Sequence, residues 1–318
     1  MTADLPAGAP GRLHPDLVAV AAVLAAGSPS LTDAGADVDA VATALYPWYL
    51  NATPLPEPVG ELRPADVDLP AALNAAHAGA AVFRGGWRVT KVLGGGTVVA
   101  TQKTSPAGSS PRVLGRAQYV VAGRPGAAAR EGDALLASSA WTWVDPVTGF
   151  WHSRWGAWPP PDQDRLVRTY VNVAPSDAPR ALAALTAVLT RWRGVPFQAK
   201  TPAATDHGGR ADAMVLYLGG EDAGRLDSEL RHAVGGLVGI LRPPVPRFTR
   251  VVTPGVGQAD GPVAGDSFGE QRCRLAARAW LALPGHLRSV RTEVEQMIAR
   301  QFASAGLDPS RPDRGVPR

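Results

Sequence analysis

Up to residue 83 the apolar residues of this chain recur at helical spacing, and beyond it β-rich, alternating runs take over. Residues three or four apart share a helix face, whereas residues two apart share a strand face, so the change of period sets what each part can build. Leu17 to about Ala26 and Val38 to Leu50 read as helices, the second capped by Asp37, and LPAALNAAHAGAAVF (69–83) reads as a third. GWRVTKVLGGGTVVATQ gives two strands around Gly94-Gly95-Gly96, a hairpin turn, and PRVLGRAQYVVAG gives another strand. The stretch 139–160 carries five of the nine tryptophans, with DPVTG (145–149) as a turn between two strands and a stiff break at Pro159-Pro160-Pro161.

The remainder alternates. DRLVRTYVNV, VPFQAK, DAMVLYL and RFTRVV read as strands. SDAPRALAALTAVLTRW, EDAGRLDSELRHAVGGLVGIL, GDSFGEQRCRLAARAWLAL and HLRSVRTEVEQMIARQFA read as helices, the second weakened by glycine. Helices grouped at the start and end of a strand-rich chain predict an α+β fold with a mixed, mainly antiparallel sheet flanked by helices. The expected division is a helical N-terminal region (1–83), an α+β domain (84–305) and a flexible tail (306–318), with residues 1–12 also frayed.

A chain of 318 residues with 45% hydrophobic content can bury a sizeable core. Net charge is +4 without a Lys/Arg-rich block or interleaved aromatics, so an anionic ligand or acidic peptide is expected rather than nucleic acid. Cys273 is the single cysteine, which excludes an intrachain disulfide and a cysteine-based zinc site; in FGEQRCRLAARAWLAL it reads as a buried helix residue. No signal-peptide pattern opens the chain, and LVAVAAVLAA is too short to span a membrane, so a soluble cytoplasmic protein without membrane contact is expected.

Of 32 basic residues only Lys91, Lys103 and Lys200 are lysine, and Lys200 ends a buried strand. A guanidinium keeps its proton; a desolvated ammonium can lose it and act as a base. Either that role or a solvated strand end accounts for Lys200. Arg168, Tyr170 and Asn172 alternate on one strand face, with Val167, Val171 and Val173 opposite. Arg210 and Asp212 lead into the strand that holds Tyr217, which falls on the other face unless a bulge intervenes. Asp212 is placed to hold Lys200 or an arginine. Thr249 and Arg250 follow in RFTR, and Ser267 opens a helix with Arg272 one turn in. A helix start with a hydroxyl and free N–H groups suits an anion, and arginine forks suit phosphate. Walker, GxGxxG-helix, HExxH and GxSxG patterns are missing, and no Asp/Glu pair has a metal role, so neither metal nor organic cofactor is expected.

In order, VRTYVNV, VPFQAK, RADAMVLYL, RFTRVVTPGVG and DSFGEQRCRLAARAW resemble the HopA-class effector family of plant-pathogenic bacteria, and more closely its relatives in actinobacterial peptide-biosynthesis clusters. The likeness covers about residues 85–285 and is strongest from 165 on. It implies a phosphoserine/phosphothreonine lyase of class V lanthipeptide or thioamitide biosynthesis, without cofactor. A separate kinase resembling aminoglycoside phosphotransferases would phosphorylate the precursor peptide, and this protein would release phosphate to leave dehydroalanine or dehydrobutyrine.

Such an elimination needs a base, an acid and cations for phosphate. Lys200 suits the base, with desolvation expected from Phe197 and its strand; Arg168, Arg210, Arg272, Ser267 and Thr249 suit the phosphate, with Asn172, Asp212 and Tyr217 in support. Related phosphothreonine lyases carry a histidine acid two residues after a cation on the strand before the base. Here that place holds Tyr170, so the acid is open between Tyr170 and His152, with His207 third. His14, His77, His232 and His286 read as structural or solvated. The tryptophan hairpin fills a core or walls a peptide site, and the N-terminal helices are free to meet a leader peptide or the kinase. The rival functions are a non-catalytic kinase or peptide partner and a thioether cyclase.

Overall fold

The computed structural model describes residues 13–27, 31, 37–51, 68–80, 82–102, 111–156, 158–162, 165–192, 194–204, 209–261 and 267–314. The expected frayed start (1–12), His207 and Lys103 lie outside them.

Helices α1 (Pro15–Ala26), α2 (Val38–Tyr49) and α3 (Leu69–Ala76) open the chain. Asp37 caps α2 as expected, its carboxylate accepting from Asp39 N at 3.1 Å. The third helix stops at Ala76 rather than 83, because His77 caps it in extended conformation and the chain turns into a strand.

Strands β1 (Phe83–Val92), β2 (Val98–Gln102), β3 (Arg112–Leu114), β4 (Tyr119–Val121) and β5 (Ala134–Ser138) form a small sheet in the order β3-β2-β1-β5-β4. PRVLGRAQYVVAG is two strands, split by a helical turn at Arg116–Gln118. A larger sheet follows from β6 (Ala140–Val144), β7 (Phe150–Trp155), β8 (Leu166–Val171), β9 (Phe197–Pro202), β10 (Met214–Leu218), β11 (Arg250–Thr253) and β12 (Val256–Gly261), in the order β11-β12-β8-β10-β9-β7-β6. All these described ladders are antiparallel, and the α+β class read from the sequence holds.

Helices α4 (Ala178–Arg191), α5 (Gly220–Arg225), α6 (Asp227–Gly235), α7 (Phe268–Ala282) and α8 (Arg291–Ser304) complete the chain. EDAGRLDSELRHAVGGLVGIL is broken into α5 and α6 and ends at its paired glycines. Helical packing divides the N-terminal helices between the two sheet faces. Leu17, Leu24, Leu45 and Tyr49 of α1 and α2 share one core with α7, α8 and the strand residues Tyr170, Val215 and Ala259. Leu69 and Leu73 of α3 share the other with α4, α6 and Val171, Phe197 and Leu216. The segment 306–314, expected as a flexible tail, is tied down: Leu307 is buried, and Asp260 N donates to Asp313 O at 2.8 Å. Among the described residues, no helix is long and apolar enough to cross a membrane.

Candidate active site

The pairing register sets the site. Opposite residues on paired strands present their side chains to the same face, so one line runs across six strands: Trp143, His152, Lys200, Val215, Tyr170 and Gly257. A second line lies two residues along: Trp141, Arg154, Gln198, Tyr217, Arg168 and Ala259. Both lie on the face covered by α2 and α7. A cavity of about 300 Å³ opens over their middle, lined among others by Lys200, His152, Tyr170, Arg168, Tyr217 and Asp212.

Alternation explains most of these positions, with one departure. Asp212 and Tyr217 have opposite parity, yet both reach the cavity, because regular pairing starts only at Met214 and the chain turns through 211–213. Phe197 points away from Lys200 into the opposite core, so it does not desolvate the amine. Phe150, one strand over, is the ring beside it: Lys200 Nζ lies 4.7 Å and the Arg210 guanidinium 5.2 Å from its ring centroid.

Electrostatics favour an anion. Asp212 is buried and spent on Arg210, which donates from Nε at 2.8 Å and from Nη2 at 2.9 Å. Lys200, Arg168 and Arg154 then outnumber the carboxylates lining the cavity. Arg168 is buried, its guanidinium 5.7 Å from the Tyr217 ring centroid. A Cβ on Gly261 would come within 2.9 Å of Arg168 Nη1, so the bare α-carbon leaves room for that guanidinium.

The two candidate acids differ. Burial, and then the charge of Lys200, push the His152 imidazole down to about 4, so it is neutral at pH 7. Gln198 Nε2 lies 3.4 Å from His152 Nδ1, a contact that suits the neutral ring as acceptor. Tyr170 is 4% exposed, and burial raises its hydroxyl well above the ordinary phenol, so it keeps its proton. The charge of Arg168, and then a hydrogen bond from Tyr49, partly offset that rise.

Other predicted residues lie apart. Thr249 does not line this cavity; it packs on Gly257 at the end of the first line, its hydroxyl donating to Pro246 O at 2.6 Å, and faces a second cleft of about 640 Å³. Arg272 is 1% exposed and turned away, donating to Pro312 O at 3.0 Å and Arg314 O at 3.2 Å. Asn172 lies past the strand end, donating to Pro244 O at 2.8 Å. Ser267 does reach the cavity, but its hydroxyl is already engaged, accepting from Glu270 N at 3.3 Å in a capping box.

Tyr46 and Tyr49 were missed because they sit on α2, far in sequence from the site's strands, as core-like members of a helical pattern. Burial lifts the Tyr46 hydroxyl to about 12. Strand parity divides the tryptophan hairpin between the two faces of the sheet. Trp151 and Trp155 are buried in the far core, whereas Trp141 and Trp143 stand on the site's face. Trp158 lines the cavity, edge-on to Tyr217 at 6.5 Å.

No curated protein matches the chain. Two solved structures share its fold. The effector protein from Pseudomonas syringae pv. tomato strain DC3000 is 13% identical, with a TM-score of 0.52 over 95% of this chain and 96% of the other. The effector protein from Pseudomonas syringae pv. syringae strain 61 is 15% identical, with a TM-score of 0.57 over 96% and 100%. The model of the HopA1 effector protein family matches residues 149–314, the span from β7 through the C-terminal segment that holds Lys200, His152, Arg168 and Tyr170. By that match, the chain belongs to the HopA1 effector protein family.

Proposed function

We propose that the protein is a phosphoserine/phosphothreonine lyase, releasing phosphate from a phosphorylated ribosomal precursor peptide to leave dehydroalanine or dehydrobutyrine in lanthipeptide-type biosynthesis. A separate kinase resembling aminoglycoside phosphotransferases supplies the phosphopeptide. The observation that carries this reading is the grouping of one lysine, one neutral imidazole, several protonated phenols and excess guanidinium in a single cavity.

In the elimination, Lys200 takes the α proton. The Cα–H bonding pair becomes the second bond of Cα=Cβ, the Cβ–O bond breaks, and phosphate leaves with the Cβ–O pair. Arg168 meets the charge growing on the leaving group. Tyr170 holds a proton at pH 7 and, on the site's strand face beside Arg168, is assigned as the donor to the leaving oxygen. His152, neutral beside Lys200, supports a second assignment in which the imidazole is the base and the lysine an ammonium that holds phosphate.

The test is phosphate release from a synthetic phosphothreonine peptide. Wild type releases phosphate, and Lys200→Ala loses about 10²–10⁴-fold in rate. Lys200→Arg decides the assignment. Loss equal to that of alanine makes Lys200 the base, while activity within tenfold of wild type, together with a dead His152→Gln, exchanges the roles. If the wild type binds the peptide and releases no phosphate, the reading falls to a binding partner; thioether formation without phosphate release makes it a cyclase.

A further inference from the structure

Two guanidiniums lie against indoles on a ladder that runs from the cavity towards the sheet edge, in which Trp141 and Trp143 also meet each other, ring centroids 4.9 Å apart and planes tilted by 35°. His152 stacks on Trp143, centroids 4.9 Å apart and planes 8° from parallel. Arg154 lies 5.0 Å from the Trp143 ring centroid and 5.4 Å from that of Trp141. Arg112 of β3 lies 5.3 Å from Trp141 and 4.7 Å from Trp87 of β1. The ladder therefore crosses from the large sheet to the small one. Gln118 pins that junction, donating to the Thr142 hydroxyl at 2.9 Å and carbonyl at 3.1 Å.

Neither guanidinium meets a carboxylate among the described residues. Gln198 Oε1 accepts from Arg154 Nε at 3.0 Å, which leaves its terminal amino groups. Burial, and then the charge of Arg154, pull Arg112 below the ordinary arginine value. Two like charges are thus held close with ring faces against them. A stacked guanidinium still presents its N–H groups in its own plane, the geometry that takes a carboxylate.

We infer that this ladder is a docking track for the peptide segment flanking the phosphorylated residue, and that Arg112 selects an acidic side chain in that segment. The inference rests on the lyase reading, which places the phosphorylated side chain beside Lys200. Neighbouring strands lie about 4.8 Å apart, so β6 is about 10 Å from Lys200 and Arg112 lies further out. An extended peptide rises about 3.3 Å per residue, which puts the acidic residue about three to five positions from the phosphorylated one. A single-stranded nucleic acid fits less well: bases stack on open ring faces, whereas Trp141 and Trp143 meet each other and each also lies against two of these side chains.

The probe is a set of peptides with a methylene-phosphonate isostere of phosphothreonine, which has no leaving oxygen, so binding is read apart from turnover. Glu or Gln is placed three, four or five positions away on either side. Tryptophan fluorescence of the full chain gives the affinities. At one position Glu binds about tenfold tighter than Gln, and in Arg112→Gln that preference shrinks to about twofold or less. Equal affinities for all Glu and Gln peptides in the wild type overturn the inference, and this comparison needs no variant. A preference undiminished in Arg112→Gln removes Arg112 from the role. Oligo-dT that outcompetes the best Glu peptide, and loses its hold in Arg112→Gln, assigns the ladder to nucleic acid instead. Phosphate release from the matching phosphothreonine peptides is scored separately, so a Glu preference without turnover leaves the track standing and removes the lyase.

Discussion

A single hydrogen decides how the helical layer meets the site. Gly269 opens α7 against the ring of Tyr49, and a Cβ there would overlap Cε1, Cζ and Cδ1 of that ring. Tyr49 in turn bonds Tyr170, the proposed donor. Gly269→Ala is expected to lower the stability by about 1–3 kcal/mol through overpacking, read as a lower urea midpoint with unchanged slope. A midpoint equal to wild type would mean that the ring moves aside without cost. Gly261 acts likewise for Arg168, and neither glycine is in a left-handed conformation, so space rather than φ requires them.

At the scale of elements, His77 ends α3 and stacks on Phe197 of β9, ring centroids 5.7 Å apart and planes 11° from parallel. Its Nδ1 accepts from Gly79 N at 3.0 Å, and burial holds the imidazole down at about 4. An unfolded histidine titrates near 6.5, so between pH 6.5 and 4 the unfolded chain binds the extra proton. The contribution is therefore fully present above pH 6.5 and is lost as pH falls through 4, about 3 kcal/mol in all. His152 adds in the same direction. In His77→Phe the urea midpoint should vary less over that window than in wild type; an equally steep decline would remove His77 from the cause. The sequence left His77 as structural or solvated, and its burial under a helix–sheet contact is what separates the two.

For the molecule as a whole, the C-terminal segment closes the helical layer onto the sheet edge. Arg272 holds the carbonyls of Pro312 and Arg314, and Asp260 N donates to Asp313 O. Burial pulls this guanidinium down to about 10. Arg272→Met keeps the bulk and strands those carbonyls, an expected loss of about 2–4 kcal/mol. Amide exchange at Asp260 should quicken with it; unchanged exchange would show that the segment is held without Arg272. The residue expected to grip phosphate is thus committed to closure of the chain upon itself.

By itself the sequence determined the period of each element and the face of each strand residue. Arg168 with Tyr170, Trp141 with Trp143 and the strand-end Lys200 were legible because side-chain alternation is a local property. Tertiary structure alone decided which strands became neighbours. The order β12-β8-β10-β9-β7-β6 is not the chain order, and it arises from burying both apolar faces under separate helical layers, a long-range choice that no local pattern encodes. That order turned scattered alternating residues into two lines across one sheet. It brought Tyr46 and Tyr49 over them, placed Phe150 rather than Phe197 beside Lys200, and sent Arg272 and Thr249 elsewhere.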